Sequence, residues 1–471
     1  RPANGIIWTL FFAGRDFAPR MVIDGVNVQD YMQEHYFGAM RELARRVRDL
    51  PNLIGFDSLN EPMSGWIGQR LSYRHLGPSE DNPHRAAPGL AWSPLDGLLV
   101  SHGISRAVPM LEFDRASRTI VATREQTMNP RRISIWRDGV VDPFQQAGAW
   151  RLNADGSFEV LRDNFFQRVG DRQVDHVVDY VGPFFARVAA NIREINPDWM
   201  LFAEMDPFAA FAGSKFPPDT PRNTVNASHW YDVAMLASKT FNPNLSLDLG
   251  SDAMAAEAAQ IQERYTRQLA RIAAMTDTLH GGAPTLIGEC GIQFDLNGAE
   301  AYRAFHCGDR SDAPWTPHII ALDLMYNALD ALLISSTQWN YTASNRNDLA
   351  IGDGWNQEDL SIFSRDQQID AGDINSGGRA LKGFVRPYAM ATQGVPRKTK
   401  FDRIARTFEF VFDADREIHG ETEFFVPRVQ YPTGFSIEVS GGEAKVDAEN
   451  QRATVKANRD GEVRVMIRPA T

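Results

Sequence analysis

Apolar residues Met32, Tyr36, Met40, Leu43, Val47 and Leu50 recur at steps of three or four between residues 28 and 50. That spacing predicts an amphipathic helix. Pro51 stops it, and Leu53-Ile54-Gly55-Phe56 predicts a short buried strand. The pair recurs: Val181, Phe184, Phe185, Val188 and Ile192 predict a helix over about 177–195, followed by a strand at Trp199-Met200-Leu201-Phe202-Ala203. Thr224-Val225-Asn226-Ala227-Ser228 reads as the next strand. A helix over about 252–275 (Met254, Ile261, Tyr265, Leu269, Ile272) then leads to Thr285-Leu286-Ile287-Gly288. A further helix over about 317–332 leads to Leu333-Ile334-Ser335-Ser336. Helices alternating with short apolar strands predict a parallel sheet in an α/β fold.

Two stretches break this rhythm. Residues 64–175 are rich in Pro, Gly, Trp and Arg with weak periodicity, and read as a long elaborated loop after the first strand. Residues 340–380 read the same way after the last. Loops of this length usually carry function. From about residue 393 strict alternation takes over, as in Thr407-Phe408-Glu409-Phe410-Val411-Phe412 and Glu462-Val463-Arg464-Val465-Met466-Ile467. Such strands, separated by Gly441-Gly442 and Asp460-Gly461, predict a small antiparallel β-sandwich. The expected organisation is an α/β domain over 1–392 and a sandwich over 393–471.

Composition narrows the function classes. The 471 residues are 43% hydrophobic and 23% charged, which excludes a disordered chain. The net charge of -11 argues against nucleic acid as a partner, since such binding needs clustered Lys and Arg. No run approaches ~18 apolar residues, so no transmembrane segment is expected, while peripheral contact with lipid stays open. The only cysteines, Cys290 and Cys307, exclude a disulfide framework and a Cys-rich zinc site. They suit a reducing compartment without fixing one. The chain opens Arg1-Pro2-Ala3, with neither Met nor a signal peptide, so localisation is not legible from this end.

The candidate chemistry lies at the C-terminal ends of the strands. Asn60-Glu61-Pro62 comes after the first, Glu204 after the second, His229 and Tyr231 after the third, Glu289 after the fourth and Trp339 after the fifth. In a parallel β/α barrel such positions converge on the C-terminal face, where active sites lie. Two carboxyl groups across a cleft can hydrolyse a glycosidic bond, one protonated and donating to the leaving oxygen, the other ionised and attacking the anomeric carbon or activating water. Asn60 suits a sugar hydroxyl, Tyr231 suits orientation of a nucleophile, and Trp339 offers a flat face for a pyranose ring. Singly, each has a plainer explanation: a loop-anchoring Glu, a satisfied structural His, a core Trp, a packing Cys290. Their combination and order carry the argument.

With those residues in place, the sequence resembles glycoside hydrolase family 5, within the retaining (β/α)8 glycosidases. Asn60-Glu61-Pro62 is similar to the fourth-strand acid/base motif, and His229-Trp230-Tyr231 to the His-x-Tyr after the sixth strand. Gly288-Glu289-Cys290-Gly291 resembles the seventh-strand nucleophile motif, with Cys290 where Phe is usual, and Trp339 the eighth-strand tryptophan. Gly55–Pro62 with Gly65-Trp66-Ile67-Gly68, and Trp339-Asn340-Tyr341-Thr342 leading into Gly354-Trp355-Asn356-Gln357-Glu358-Asp359-Leu360-Ser361, resemble the endoglycoceramidase-related branch. Arg386-Pro387-Tyr388-Ala389, Phe425-Val426-Pro427 and Gln430-Tyr431-Pro432 fit its barrel-to-sandwich junction and C-terminal domain.

The resemblance implies a TIM barrel whose identifiable strands are the fourth to the eighth, with Glu61 as acid/base, Glu289 as nucleophile, and Asn60, His229, Tyr231, Trp339 and Glu204 around the substrate. No metal or organic cofactor is implied. Gly5-Ile6-Ile7-Trp8-Thr9-Leu10-Phe11-Phe12 reads as the end of the loop after the third strand, so the first part of the barrel is expected to be missing and the activity to belong to a longer parent. The implied reaction is retaining hydrolysis of the β-glucosidic bond of a glycolipid, glucosylceramide or steryl glucoside, or of another hydrophobic β-glucoside. Trp66, Trp92, Trp136, Trp150, Phe208 and Phe211 read either as an apolar aglycone groove or as loop core. The competing readings are an endo-acting glycoceramidase and a non-catalytic carbohydrate-binding protein on the same scaffold; the second predicts loss of a carboxyl, yet both are present.

Overall fold

The computed structural model describes residues 2–77, 88–114, 119–244, 246–247, 254–255, 257–279, 281–350 and 358–470. The predicted Gly354-Trp355-Asn356-Gln357 motif therefore lies outside the described residues, as do positions 252, 253 and 256 of the predicted 252–275 helix. The chain divides into two compact units. The first comprises Arg1–Pro207, Lys215–Val225 and Thr276–Ala283, the second Phe208–Ser214, Asn226–Met275 and Pro284–Thr471.

The first unit opens with helix α1 (Pro2–Phe17), where a loop was expected. Its aromatic and aliphatic residues are not confined to one stripe, so the sequence shows no clean helical period. Ile6, Leu10, Phe11, Phe12 and Phe17 are nevertheless all buried. Helix α2 (Val28–Val47) is where the spacing put it, and the Asn27 side chain caps it by accepting from the Gln29 amide. Strand β1 (Gly55–Asp57) follows. It is not the fully buried strand expected. Ile54 is 57% exposed, because β1 is an edge with a partner on one side only among the described residues.

The stretch read as a loop over 64–175 is organised. Helix α3 (Pro94–Ser101) starts at a capping box between Ser93 and Asp96, and strands β2 (Arg106–Asp114) and β3 (Thr119–Met128) form an antiparallel hairpin. Asp96 binds the guanidinium groups of Arg74 at 2.7 Å and Arg106 at 3.0 Å. Burial alone would raise its pKa, but the bonds from Arg74, the Ser93 amide and Arg106 outweigh this and hold it at about 2. Helix α4 (Gly182–Arg193) then leads to β4 (Met200–Ala203), which pairs in parallel with β1. Strand β5 (Thr224–Asn226) adds to the other side of β4, giving the order β5-β4-β1.

In the second unit, Asn226 bridges Thr285 in parallel. Helix α5 (Ala258–Ala273) is shorter than expected, since Met254–Ala255 is extended. Strand β6 (Leu286–Cys290) follows, then helix α6 (Thr316–Leu332) and strand β7 (Ser335–Gln338), parallel to β6. The described strands thus form parallel α/β layers; among the described residues a closed eight-stranded barrel is not present.

The C-terminal part of this unit is the expected sandwich. Strands β8 (Tyr388–Ala391), β9 (Gly394–Asp402), β10 (Thr407–Ala414), β11 (Thr422–Phe425), β12 (Phe435–Ser440), β13 (Gly442–Asp447), β14 (Arg452–Ala457) and β15 (Gly461–Pro469) form two antiparallel sheets. Their orders are β8-β11-β14-β13 and β9-β10-β15-β12. Alternate residues of both sheets, among them Phe408, Phe410, Phe412, Phe424, Val455, Val463, Val465 and Ile467, make one core. Burying each such side chain stabilises by ~1.5–3 kcal/mol. Arg386, at the expected junction, ties α6 to β9: its guanidinium lies 3.4 Å from Asp330 and 3.7 Å from Asp323, and donates to Asn327 and the Phe401 carbonyl.

Candidate active site

In the first unit the strand ends of β1 and β4 carry two of the expected acids. The Ser58 amide donates to the Phe202 carbonyl at 2.8 Å, extending the β1–β4 pairing one step. The Glu204 amide returns a bond to Ser58 Oγ at 3.1 Å. Glu204 is 1% exposed, and its Oε1 accepts the backbone N–H of Glu61 at 2.8 Å. Glu61 has φ of 46°, a left-handed conformation that costs a residue with a side chain ~1–2 kcal/mol. A charge-assisted bond to its amide offsets part of that cost. Asn60 is exposed beside it and Pro62 is buried.

Two contributors here were not singled out from the sequence. Ser58 is one, and Tyr36 is the other, counted only as part of the apolar stripe of α2. The Tyr36 hydroxyl donates to the Ser58 carbonyl at 2.6 Å. Burial first, and then the charges of Asp57 and Glu204, push the phenol up to about 12, which keeps it a donor. Below this strand end, Thr9 of α1 accepts the Trp66 amide at 2.9 Å. Gly5 lets the Trp66 indole close in: a Cβ there would sit 2.4 Å from its Nε1.

In the second unit the chain from Asn226 to Tyr231 runs beside β6. The Gly288 amide donates to the Ser228 carbonyl at 3.4 Å and the Trp230 amide to the Glu289 carbonyl at 2.9 Å. Gly288 is required by this approach, since a Cβ would lie 2.3 Å from the Ala227 carbonyl oxygen. Glu289 belongs to β6 itself, as its next-to-last residue, rather than following the strand. Its Oε2 accepts the Tyr231 hydroxyl at 2.8 Å, and His229 Nδ1 lies 3.3 Å from the same oxygen. The Glu289 side chain keeps 14% of its surface exposed, while that of His229 keeps 4%. This unit therefore brings together His229, Tyr231 and Glu289 as expected.

Trp339 flanks β6 on the other side. Its amide donates to the Cys290 carbonyl at 2.8 Å, and the ring is half-buried. The neighbouring Asn340 is held by the loop over 359–363, donating to the Leu360 carbonyl at 3.1 Å and accepting from the Ile362 amide at 2.9 Å. That loop rests on Arg379, which is fully buried, pairs with both oxygens of Asp359 and lies 4.1 Å above the Phe294 ring. Cys290 is the packing residue expected: fully buried, with its thiol pushed up to about 12 by that burial. Asp232, next to Tyr231, accepts from Tyr265 at 2.6 Å and Arg264 at 2.9 Å inside the unit. Neither Arg379 nor this Asp232 cluster was singled out from the sequence, because the partners are far apart in the chain.

The aromatic residues divide. In the first unit Trp66 is 7% exposed against Phe144 and Phe166, and Trp150 is fully buried, so both are loop core. Trp92 and Trp136 are half-buried. Phe208 in the second unit is 64% exposed, and the side chain of Phe211 lies outside the described residues.

Known proteins are similar to this chain over most of its length. Residues 386–467 match the glycoside hydrolase family 5 C-terminal domain. A glucosylceramidase of Rhizopus delemar is 28% identical over 458 residues, covering 91% of this chain and 63% of its own length. An ergosteryl-beta-glucosidase of Saccharomyces cerevisiae is 25% identical over 406 residues, covering 77% of this chain and 50% of its own. The chain thus spans less than two thirds of the length of these relatives. The crystal structure of Cryptococcus neoformans sterylglucosidase 1 superposes with a TM-score of 0.85 at 25% identity, over 99% of this chain and 71% of that one. Among the described residues no helix is long and apolar enough to cross a membrane. By its strand-end residues, its C-terminal sandwich and these relatives, the chain resembles glycoside hydrolase family 5 and is similar to the glucosylceramidases and sterylglucosidases of that family.

Proposed function

We propose that the protein hydrolyses the β-glucosidic bond of a glycolipid, glucosylceramide or a steryl glucoside, with retention of configuration. The residues before Tyr388 form the catalytic part, and the sandwich from Tyr388 onwards supports it. The observation that carries this reading is the Glu289 carboxylate. It stands on a parallel strand, partly exposed, with one oxygen held by Tyr231. An ionised carboxylate so held is a poor base for its surroundings and a well-aimed nucleophile. The relatives named as glucosylceramidase and ergosteryl-beta-glucosidase support the lipid aglycone.

In this mechanism Glu289 attacks the anomeric carbon while Glu61 protonates the glycosidic oxygen, and the aglycone leaves as an alcohol. Glu61, now a carboxylate, takes a proton from water, which attacks the same carbon and frees glucose and Glu289. Asn60 and His229 bind hydroxyls near the reacting carbon, and Trp339 stacks on the ring. The full-length protein and its Glu289→Gln variant are compared on glucosylceramide, a steryl glucoside and a nitrophenyl β-glucoside. Glucose release by the first and none by the second is expected. Equal release by both would remove Glu289 from the reaction.

A further inference from the structure

Glu204 stands at the end of the strand next to Glu61, nearly without solvent, and its carboxylate is directed at a backbone amide. We propose that Glu204 is a positioning residue for Glu61, fixing the left-handed backbone from which the Glu61 side chain delivers its proton to the leaving aglycone. This rests on the reading of Glu61 as the acid/base. The role is distinct from contact with the sugar, the place the sequence alone suggested for Glu204.

The chemistry of the contact supports it. An ionised carboxylate only accepts hydrogen bonds, so it suits a backbone N–H. Burial of the oxygen protects that bond from competition by water. Glu204 is fixed in turn, since its own amide is bound to Ser58 Oγ at 3.1 Å and Ser58 is held by the Tyr36 hydroxyl at 2.6 Å. The two strand ends are therefore tied at Ser58 and again at Glu61. Loss of the Glu204 acceptor frees residue 61 to return to an ordinary φ, which redirects its Cα–Cβ bond and carries the carboxyl off the glycosidic oxygen.

Protonation matters in proportion to how badly the aglycone needs it. A dinitrophenolate departs unaided, whereas an alkoxide from a lipid or alkyl glucoside must receive the Glu61 proton as its bond to the anomeric carbon breaks. This separates positioning of the acid from general loosening of the fold. The experiment measures kcat/KM of the full-length protein on dinitrophenyl and octyl β-glucosides, since that ratio reports the first chemical step. For Glu204→Ala the expected loss is about 100-fold on the octyl glucoside and under about 5-fold on the dinitrophenyl one. Glu204→Gln, whose amide oxygen accepts the same bond, is expected to recover most of the octyl activity. If the Ala variant does not fold, Glu204→Asp, which withdraws the oxygen by one methylene, is judged by the same ratio. Equal losses on the two substrates, or a Gln variant no better than the shortened one, would overturn the proposal. A Glu61→Ala control with no difference between substrates removes the acid/base reading and the proposal with it. A difference there but none at Glu204 overturns the proposal alone.

Discussion

The Tyr231 hydroxyl donates a hydrogen bond to the same Glu289 oxygen that faces His229 Nδ1, at 2.8 and 3.3 Å respectively. The contact spans 58 residues of sequence and depends on the chain after Asn226 running directly beside β6. A hydrogen bond to an ionised group stabilises by ~1.5–3 kcal/mol. Tyr231→Phe keeps the ring and removes the donor. It is expected to lower kcat/KM by roughly 10- to 100-fold while the thermal midpoint stays close to that of the unaltered protein. Steady-state kinetics on a nitrophenyl β-glucoside check this. An unchanged rate would take the hydroxyl out of the nucleophile's support.

The residue that follows β6, Gly291, tolerates no side chain. A Cβ at Gly291 would lie 2.2 Å from the Trp339 carbonyl oxygen, which is backbone and cannot swing away. Gly291→Ala must push β6 and the Trp339 segment apart. The expected cost is ~1–3 kcal/mol of stability, with activity lost ahead of the fold because Glu289 and Trp339 both shift. Urea unfolding alongside kinetics reads the two effects separately.

Much of this was legible in the sequence, for identifiable reasons. Helices α2, α4 and α6 are amphipathic or sharply bounded, so their apolar spacing reveals them. Glu61 and Glu289 stand out because each follows or ends an apolar run next to Asn, Pro or Gly. Helix α1 escaped notice because Ile6, Leu10, Phe11 and Phe12 bury around most of its circumference, which erases the period. The β2–β3 hairpin did so because residues such as Thr123, Arg124 and Glu125 are exposed on consecutive positions and show no alternation. The tie from Glu204 to the Glu61 amide joins residues 143 apart, and nothing local in either segment announces it.

Arg379 illustrates a stabilising contact of that hidden kind. Its side chain is fully buried, bonded to Asp359, the Ser361 carbonyl and Asn347. Removing one member of a buried ion pair leaves the other charge without compensation, which typically costs ~3–5 kcal/mol. Arg379→Met is expected to destabilise by that order. Arg379→Met combined with Asp359→Leu should recover part of the loss, because no lone charge then remains. A double variant as unstable as the single one would mean that the loop over 359–363 needs the hydrogen bonds themselves.

His318 sets the direction of the pH dependence in the same region. It is 2% exposed, stacked on Phe294, and its Nε2 lies 3.1 Å from the Phe294 carbonyl, so the neutral ring with the proton on Nε2 fits the site. Burial lowers its pKa to about 4, with the Phe294 carbonyl and Asp359 opposing and Arg379 assisting. Between that value and the ordinary ~6.5 the unfolded chain binds a proton that the folded one does not, so stability rises with pH across this window. As pH falls from 6.5 towards 4, His318 should withdraw ~3 kcal/mol. His318→Gln retains a donor for the Phe294 carbonyl and does not titrate. Unfolding free energies at several pH values from 7 down to 4.5 should fall less steeply for this variant than for the unaltered protein. Parallel slopes would show that other groups govern the acid limb.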